Sequence, residues 1–264
     1  MRNSIFACML WLEFGFPVLA DFVFSPGTAN PNGSSTGPFL ETQGDGPSIR
    51  YQQVYAAASF LSFSPVPVSI NELSFAQIPG FPVDVNLASI DIRLSTTPSA
   101  PDGLSPFFAQ NVGADDAVVY SGSLHFFQST MESYGVHVLL QHPFLYNPQG
   151  GNLLLDVRNF QTVPGPPSTG GGLYANIVTG DPVSLIAALN VNAASGPQTT
   201  AGLLTRFTVT ATPEPSVALL LLLGIVLFTV CRRKKPNHNT STAPELVTKI
   251  NEDNEEVTLL ALLK

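Results

Sequence analysis

Residues able to perform chemistry are sparse in this chain. Between residues 21 and 212 the histidines are His125, His137 and His142, and their spacing does not match a helical metal-ligand motif. Residues 33–37 spell GSSTG, the letters of a nucleophile elbow, but that motif needs a strand before the serine and a helix after it. A proline flanks this pentapeptide on each side, so we expect a flexible loop there.

Hydrolase chemistry would need groups that the sequence does not bring together. A glycosidase uses two carboxylates about 5–10 Å apart on either side of a sugar. The glutamates between residues 21 and 212 are Glu41, Glu72 and Glu132, and no local motif pairs them. A hydrolase is therefore a third-ranked hypothesis, which requires a concave carboxylate cluster or a Ser–His pair in the folded domain.

An oxygen-rich cluster is formed by Asn111, Asp115 and Asp116. Loops of this kind on β-sandwiches bind Ca²⁺ through carboxylate and amide oxygens. The spacing is not that of an EF-hand loop, and a turn stabilised by Asn and Asp side chains explains the same residues. We therefore expect no metal and no cofactor, with these three residues as the candidates should calcium bind.

Charge and cysteine content exclude several classes of protein. Residues 21–212 contain twelve acids, four arginines and no lysine, a net charge near −8. This acidity argues against nucleic acid and against anionic lipid as partners. Cys8 and Cys231 are the only cysteines and lie outside this region, so it has no disulfide, thiol catalyst or zinc–thiolate site.

Apolar and polar residues alternate through much of the central region, as expected for half-buried strands. The predicted strands are residues 51–61, 70–78, 90–95, 118–127, 136–141, 153–158, 177–178, 183–191 and 206–210. Turn sequences such as Pro101-Asp102-Gly103 separate them. The sequence therefore predicts an all-β fold, a β-sandwich of jelly-roll type.

The N-terminus has the composition of a secretory signal peptide. Arg2 precedes an apolar stretch over residues 5–16, and Val18-Leu19-Ala20 supplies small residues at the cleavage position. We therefore predict cleavage between Ala20 and Asp21.

A three-part motif begins after Thr212. Its first part is Pro213-Glu214-Pro215-Ser216, in which the prolines keep the chain extended. Residues 216–231 are uncharged, and as a helix they would be about 24 Å long against about 30 Å of hydrocarbon. The third part is the cation run Arg232, Arg233, Lys234 and Lys235. Because cations stay on the cytoplasmic side, the motif predicts a transmembrane helix that leaves the preceding residues outside the inner membrane.

The three parts in this order resemble the PEP-CTERM sorting signal of Gram-negative bacteria. The resemblance implies recognition by an exosortase, a membrane-embedded cysteine transpeptidase that would cut near Pro-Glu-Pro and move the protein to the envelope or an exopolysaccharide matrix. The family usually ends soon after the cations, whereas residues 236–264 follow here. Residues 50–160 also resemble the bodies of such proteins, which implies a shared β-sandwich and no established activity.

We therefore expect five parts: a signal peptide (1–20), an irregular lead-in (21–47), a β-sandwich domain (48–211), the sorting signal with transmembrane helix 216–231 (212–235), and a disordered cytoplasmic tail (236–264). The leading hypothesis is a non-enzymatic protein of the cell envelope or exopolysaccharide matrix, held in the inner membrane and then sorted. One alternative is a carbohydrate-binding module for the exopolysaccharide. The other is a single-span anchored surface domain that is not processed.

Overall fold

The structure is a computed structural model that describes residues 20–26, 33–35, 37–39, 48–79, 83–128, 133–160, 172–212 and 224. The strands and helices named below belong to the first of its two units, Met1–Glu214, and of the second unit, Pro215–Lys264, only Gly224 is described. The predicted transmembrane helix and tail lie outside the described residues. Of the helices in the described ranges, none combines the length and the hydropathy that a membrane crossing requires.

Strands dominate the described part of this unit. They are β1 (Asp21–Ser25), β2 (Gly33–Ser35), β3 (Ile49–Tyr55), β4 (Val68–Phe75), β5 (Val83–Thr97), β6 (Ala117–Gln128), β7 (Val136–Tyr146), β8 (Asn152–Asn159), β9 (Leu173–Asn176), β10 (Val183–Ala188), β11 (Gln198–Thr199), β12 (Gly202–Leu203) and β13 (Thr205–Ala211). Helix α1 (Ala57–Leu61) follows β3, and a 3₁₀ turn spans Phe108–Gln110. The fold is all-β, which confirms the class predicted from the alternating pattern.

Two larger antiparallel sheets enclose the main core. The four-stranded sheet has the order β1-β13-β4-β7 and the six-stranded sheet the order β11-β10-β3-β8-β5-β6, while β12-β9-β2 form a small third sheet. Inward side chains of both larger sheets share one hydrophobic cluster, to which the first contributes Ile70 and Phe207 and the second Tyr55 and Ile92. The architecture is therefore sandwich-like.

Helix α1 corrects the strand predicted at residues 51–61. The strand ends at Tyr55, and the Ala-rich stretch that follows turns into a helix that buries Phe60. Its ring packs 4.8 Å from Tyr146 and 5.0 Å from Phe207, between centroids. A short apolar run does not by itself distinguish strand from helix, and alanine favours the helix.

Two other strand predictions differ from the structure: the one at 177–178 is wrong, and the one at 183–191 is correct only to residue 188. Residues 177–178 lie beyond β9, which ends at Asn176, and both side chains are exposed before the turn at Gly180, where φ is +83°. The strand predicted at 183–191 ends at Ala188. In both places the β-branched residues favoured a strand, but cross-strand pairing stops earlier.

The segment predicted as an irregular lead-in contributes to the sandwich. Strand β1 pairs with β13 from Asp21↔Val209 to Ser25↔Thr205, and β2 pairs with β9, so the predicted loop at 33–37 is partly strand. Val23 and Phe39 belong to the main core. The folded body therefore begins before residue 48, the predicted start of the domain.

Candidate functional site: the outer face of the four-stranded sheet

Of the three calcium candidates, Asn111 is fully buried at the C-terminal end of the 3₁₀ turn. Its Oδ1 accepts a hydrogen bond from the Ser105 amide at 2.7 Å, and its Nδ2 donates to Gln52 Oε1 at 3.1 Å. Asn111 therefore fixes a loop above the six-stranded sheet, with its side-chain oxygen already engaged.

The two neighbouring carboxylates are also engaged within the fold. Asp115 accepts hydrogen bonds from the amide and the hydroxyl of Thr96, at 2.7 and 2.6 Å. Asp116 pairs with Arg93, whose Nε lies 3.0 Å from both carboxylate oxygens. Across the described residues, no group of three or more His, Cys, Asp or Glu could hold a metal ion.

The remaining predicted residues fall in different places. His125 and His142 are exposed on β6 and β7. Ala20 is exposed and Asp21 is the first residue of β1. Glu41, Glu132, residues 213–216 (PEPS) and the cations at 232–235 lie outside the described residues. The third histidine, His137, lies on a face that the sequence did not single out.

This face is the outer side of the four-stranded sheet. The strand register places Phe24, Arg206, Ser74 and His137 in one row across it, and Phe22, Thr208, Glu72 and Leu139 in the next. Tyr134, just before β7, contacts the end of the first row. We call these nine residues the outer sheet surface.

Hydrogen bonds connect the polar centre of the outer sheet surface. The Glu72 carboxylate accepts from His137 Nδ1 at 2.7 Å, from Thr208 Oγ1 at 3.0 Å and from Ser74 Oγ at 3.3 Å. Burial alone would raise the pKa of Glu72, but these hydrogen bonds and the nearby imidazole together lower it below its ordinary value. Arg206 Nη2 donates to Ser74 Oγ at 3.2 Å.

A Ser–His–Glu group therefore exists here, but its geometry is not that of a catalytic triad. In a triad the serine and the carboxylate bind opposite nitrogens of the imidazole. Here Ser74 Oγ, at 3.1 Å, and Glu72 Oε1 both contact Nδ1 of His137. A carboxylate only accepts, so Nδ1 carries the proton and cannot take one from the serine. Ser74 is also fully buried.

Aromatic rings and leucines occupy the two edges of this face. The Arg206 guanidinium lies 4.9 Å from the Phe22 ring centroid and 5.3 Å from that of Tyr134, and Phe24 packs 5.5 Å from Tyr134. Phe22 is 47% exposed on β1, while Leu139 is 72% exposed on β7. An antiparallel sheet that faces water normally places polar residues outward, so these exposed apolar side chains make the face a candidate interaction surface.

On the outer face of the six-stranded sheet, a loop covers a buried ion pair. Asp156 Oδ2 accepts from Arg50 Nη2 at 3.1 Å and from Gln52 Nε2 at 3.0 Å. The Arg50 guanidinium lies 4.7 Å from the ring centroid of Phe108, which covers it. This arrangement attaches the loop to β3 and β8 and covers the carboxylate of Asp156.

A cleft of about 180 Å³ opens at the edge of the same sheet. It is lined by Asp102, Leu104, Ser184, Leu185, Gln198, Thr199 and Thr200. Ligand pockets are usually about 300–1,000 Å³, so this cleft is small for a sugar or a cofactor.

Sequence reasoning missed the outer sheet surface, although part of its signal was present. Phe22 and Phe24 alternate around Val23, which is the pattern of a strand with two aromatic residues on one face. Their proximity to Arg206 depends on the pairing of β1 with β13, and no local pattern specifies that pairing. No protein-family model, curated protein sequence or solved structure matches this chain.

Proposed function

We propose that this chain is an exported, non-enzymatic protein of the cell envelope or the exopolysaccharide matrix. A signal peptide ending at Ala20 starts its export. The helix at 216–231 holds it in the inner membrane, and an exosortase recognises Pro213-Glu214-Pro215 and sorts it. The membrane and the exosortase are its partners along this route.

The observation that carries the proposal is the position of the two ends of the folded body. Strand β1 begins at Asp21, directly after the predicted signal-peptide cleavage site. Strand β13 ends at Ala211, two residues before Pro213. Both processing sites therefore fall just outside the sandwich, where cutting would leave its strands complete.

The non-enzymatic part of the proposal is supported by the outer sheet surface. Its one Ser–His contact uses the imidazole nitrogen that already donates to Glu72, so the serine has no base to activate it. The group also lies on an open sheet face, whereas catalytic sites are usually concave.

We also propose that the sandwich is a jelly roll. Its eight main strands are β1, β3, β4, β5, β6, β7, β8 and β13. Numbered one to eight in chain order, they stand as 1-8-3-6 in one sheet and 2-7-4-5 in the other. This order, the one generated by two interlocked Greek keys, supports the assignment. Strands β10 and β11 then extend the larger sheet beyond β3.

The test is processing of the full chain, with a C-terminal epitope tag, in a host that contains an exosortase. We expect a mature protein that starts at Asp21 by mass spectrometry and lacks both the tag and residues 236–264. Glu214→Ala should leave membrane insertion intact and block the cut, so that the tagged full-length form accumulates in the inner membrane.

Glu245→Ala is the matched control, because Glu245 also follows a proline but lies beyond the cations. It should be processed like the unchanged protein. If the tag stays on the mature protein and Glu214→Ala changes nothing, the chain is a single-span anchored surface protein. The sorting proposal would then be wrong.

A further inference from the structure

We propose that the outer sheet surface binds a second copy of this chain. The two four-stranded sheets would face each other across a two-fold axis that runs parallel to the strands. This association is a property of the folded body and does not depend on how the protein is exported or processed.

The strand order makes this face self-complementary. A two-fold axis between β13 and β4 exchanges β1 with β7 and β13 with β4, because these strands stand in the order β1-β13-β4-β7. In such an isologous interface, every contact between two residues occurs twice, once in each direction between the copies. The aromatic edge of one copy therefore meets the leucine edge of the other.

Apolar pairing follows from the register. The axis keeps each row at the same height along the strands, so Phe22 of one copy covers Leu139 of the other. These are exposed apolar side chains at opposite edges of the sheet. Leu145, 62% exposed and paired with Ser69 on β4, extends the leucine edge by a further row. Each contact removes apolar surface from water in both copies.

Charge pairing favours the same arrangement. Arg206 is half-buried, and its guanidinium forms no ion pair with a carboxylate in the described part of the chain. In the dimer, β13 of one copy lies over β4 of the other, so Arg206 faces Ser74 of the other copy. Glu72 of that copy lies two residues along β4 from Ser74, a distance of about 7 Å. Glu72 uses three of its about four acceptor positions, so one is open to this guanidinium.

The internal hydrogen bonds argue against a sugar chain as the occupant. A glycan site presents polar groups that are available to the ligand's hydroxyls. Here Glu72, Ser74, Thr208 and His137 already bond to one another, and the apolar edges dominate what is exposed. Four strands about 4.8 Å apart and about 20 Å long give a footprint of about 400 Å². A stable dimer needs about 800 Å² per partner, so we expect a weak, reversible one.

The test cross-links two differently tagged populations of the full chain in detergent, both carrying Cys8→Ser and Cys231→Ser. One also has Phe22→Cys and the other Leu139→Cys, and a bis-maleimide spans the gap of about 10 Å between packed sheets. We expect a product that carries both tags. The control pairs Phe22→Cys with Leu189→Cys, a leucine 67% exposed just after β10 of the other sheet, and should give at least fivefold less product.

A second measurement does not depend on the introduced thiols. The sedimentation coefficient of the full chain should change with protein concentration. Leu139→Lys should abolish this concentration dependence, whereas Leu189→Lys should preserve it. Circular dichroism should show every variant to be folded like the parent. Two cross-linking results would overturn the proposal. One is an equal yield from the two pairs of variants. The other is a product that joins two Phe22→Cys chains when no product joins Phe22→Cys to Leu139→Cys. The proposal would also be overturned if the chain stays monomeric and a neutral polysaccharide such as dextran protects the Phe22→Cys thiol from reaction with maleimide.

Discussion

The Oδ2 atom of Asp156 lies 3.1 Å from Nη2 of Arg50, and only 3% of the Asp156 side chain is exposed. This pair joins the neighbouring strands β8 and β3 on the outer face of the six-stranded sheet. Gln52 donates to the same oxygen and also to the backbone oxygen of Phe108. The carboxylate thus links two strands to the loop that covers them.

Asp156→Ala should be strongly destabilising, because it leaves the largely buried Arg50 without its partner. We expect a loss of about 3–5 kcal/mol in the free energy of unfolding, measured with urea on residues 21–212. The matched control is Asp116→Ala, whose ion pair with Arg93 is more exposed and should cost about 1 kcal/mol. Equal losses in the two variants would contradict the structural role of Asp156.

The boundary of the folded body can be tested by deletion. Residues 21–212 should unfold in one cooperative transition, whereas residues 48–212 lack β1 and the core side chains Val23 and Phe39. Full burial of one such side chain contributes about 1.5–3 kcal/mol, so we expect the shorter chain to lose at least 3 kcal/mol. Two chains of the same stability in urea would show that the first 27 residues of the body are dispensable.

Two phenylalanines separate core from surface. Phe207 is fully buried and its ring packs 4.9 Å from that of Tyr55, so Phe207→Ala should cost about 3–5 kcal/mol. Phe22 lies on the outer sheet surface, and Phe22→Ala should cost less than about 1 kcal/mol. The comparison uses thermal and urea unfolding at low protein concentration. A large loss with Phe22→Ala would mean that this ring is part of the core.

Acid should lower the stability of the folded protein partly by protonating Glu72 on the outer sheet surface. Because the folded state lowers the pKa of this carboxyl, its contribution is present above the ordinary value of 4.5 and disappears as the pH falls through the folded pKa. Unfolding measured from pH 6 to pH 2 should therefore show a steeper loss for the unchanged protein than for Glu72→Gln. The difference should be about 1 kcal/mol or less, since solvent reaches the group. Parallel profiles would contradict the assignment.

The Asp115 loop provides a test for calcium. Asp115→Ala removes the acceptor for the Thr96 amide and hydroxyl and should cost about 1–3 kcal/mol. Chelation of Ca²⁺ should leave the Tm of the unchanged protein where it was, because these oxygens are already bonded. A Tm that rises with Ca²⁺, and does so less in Asp115→Ala, would instead identify a calcium site.

The sequence by itself determined the all-β class and much of the core. Alternation assigns inward and outward positions within a strand, and it placed Val136, Val138, Phe207 and Val209 together on buried faces, as the structure confirms. It did not identify α1, because an apolar run of five or six residues fits either a strand or a helix.

Only the tertiary structure decided which strands are neighbours, and with that the outer sheet surface. Ser74 and Arg206 are 132 residues apart in the sequence, yet they share a hydrogen bond because β4 pairs with β13. Alternation of apolar and polar residues shows which face of a strand is buried, but it does not identify the strand that pairs with it. The pairing of distant strands depends on how both sheets pack over the shared core. The same limit applies to Asp115: its oxygens could be predicted from the sequence, whereas its contact with Thr96, 19 residues away, could not.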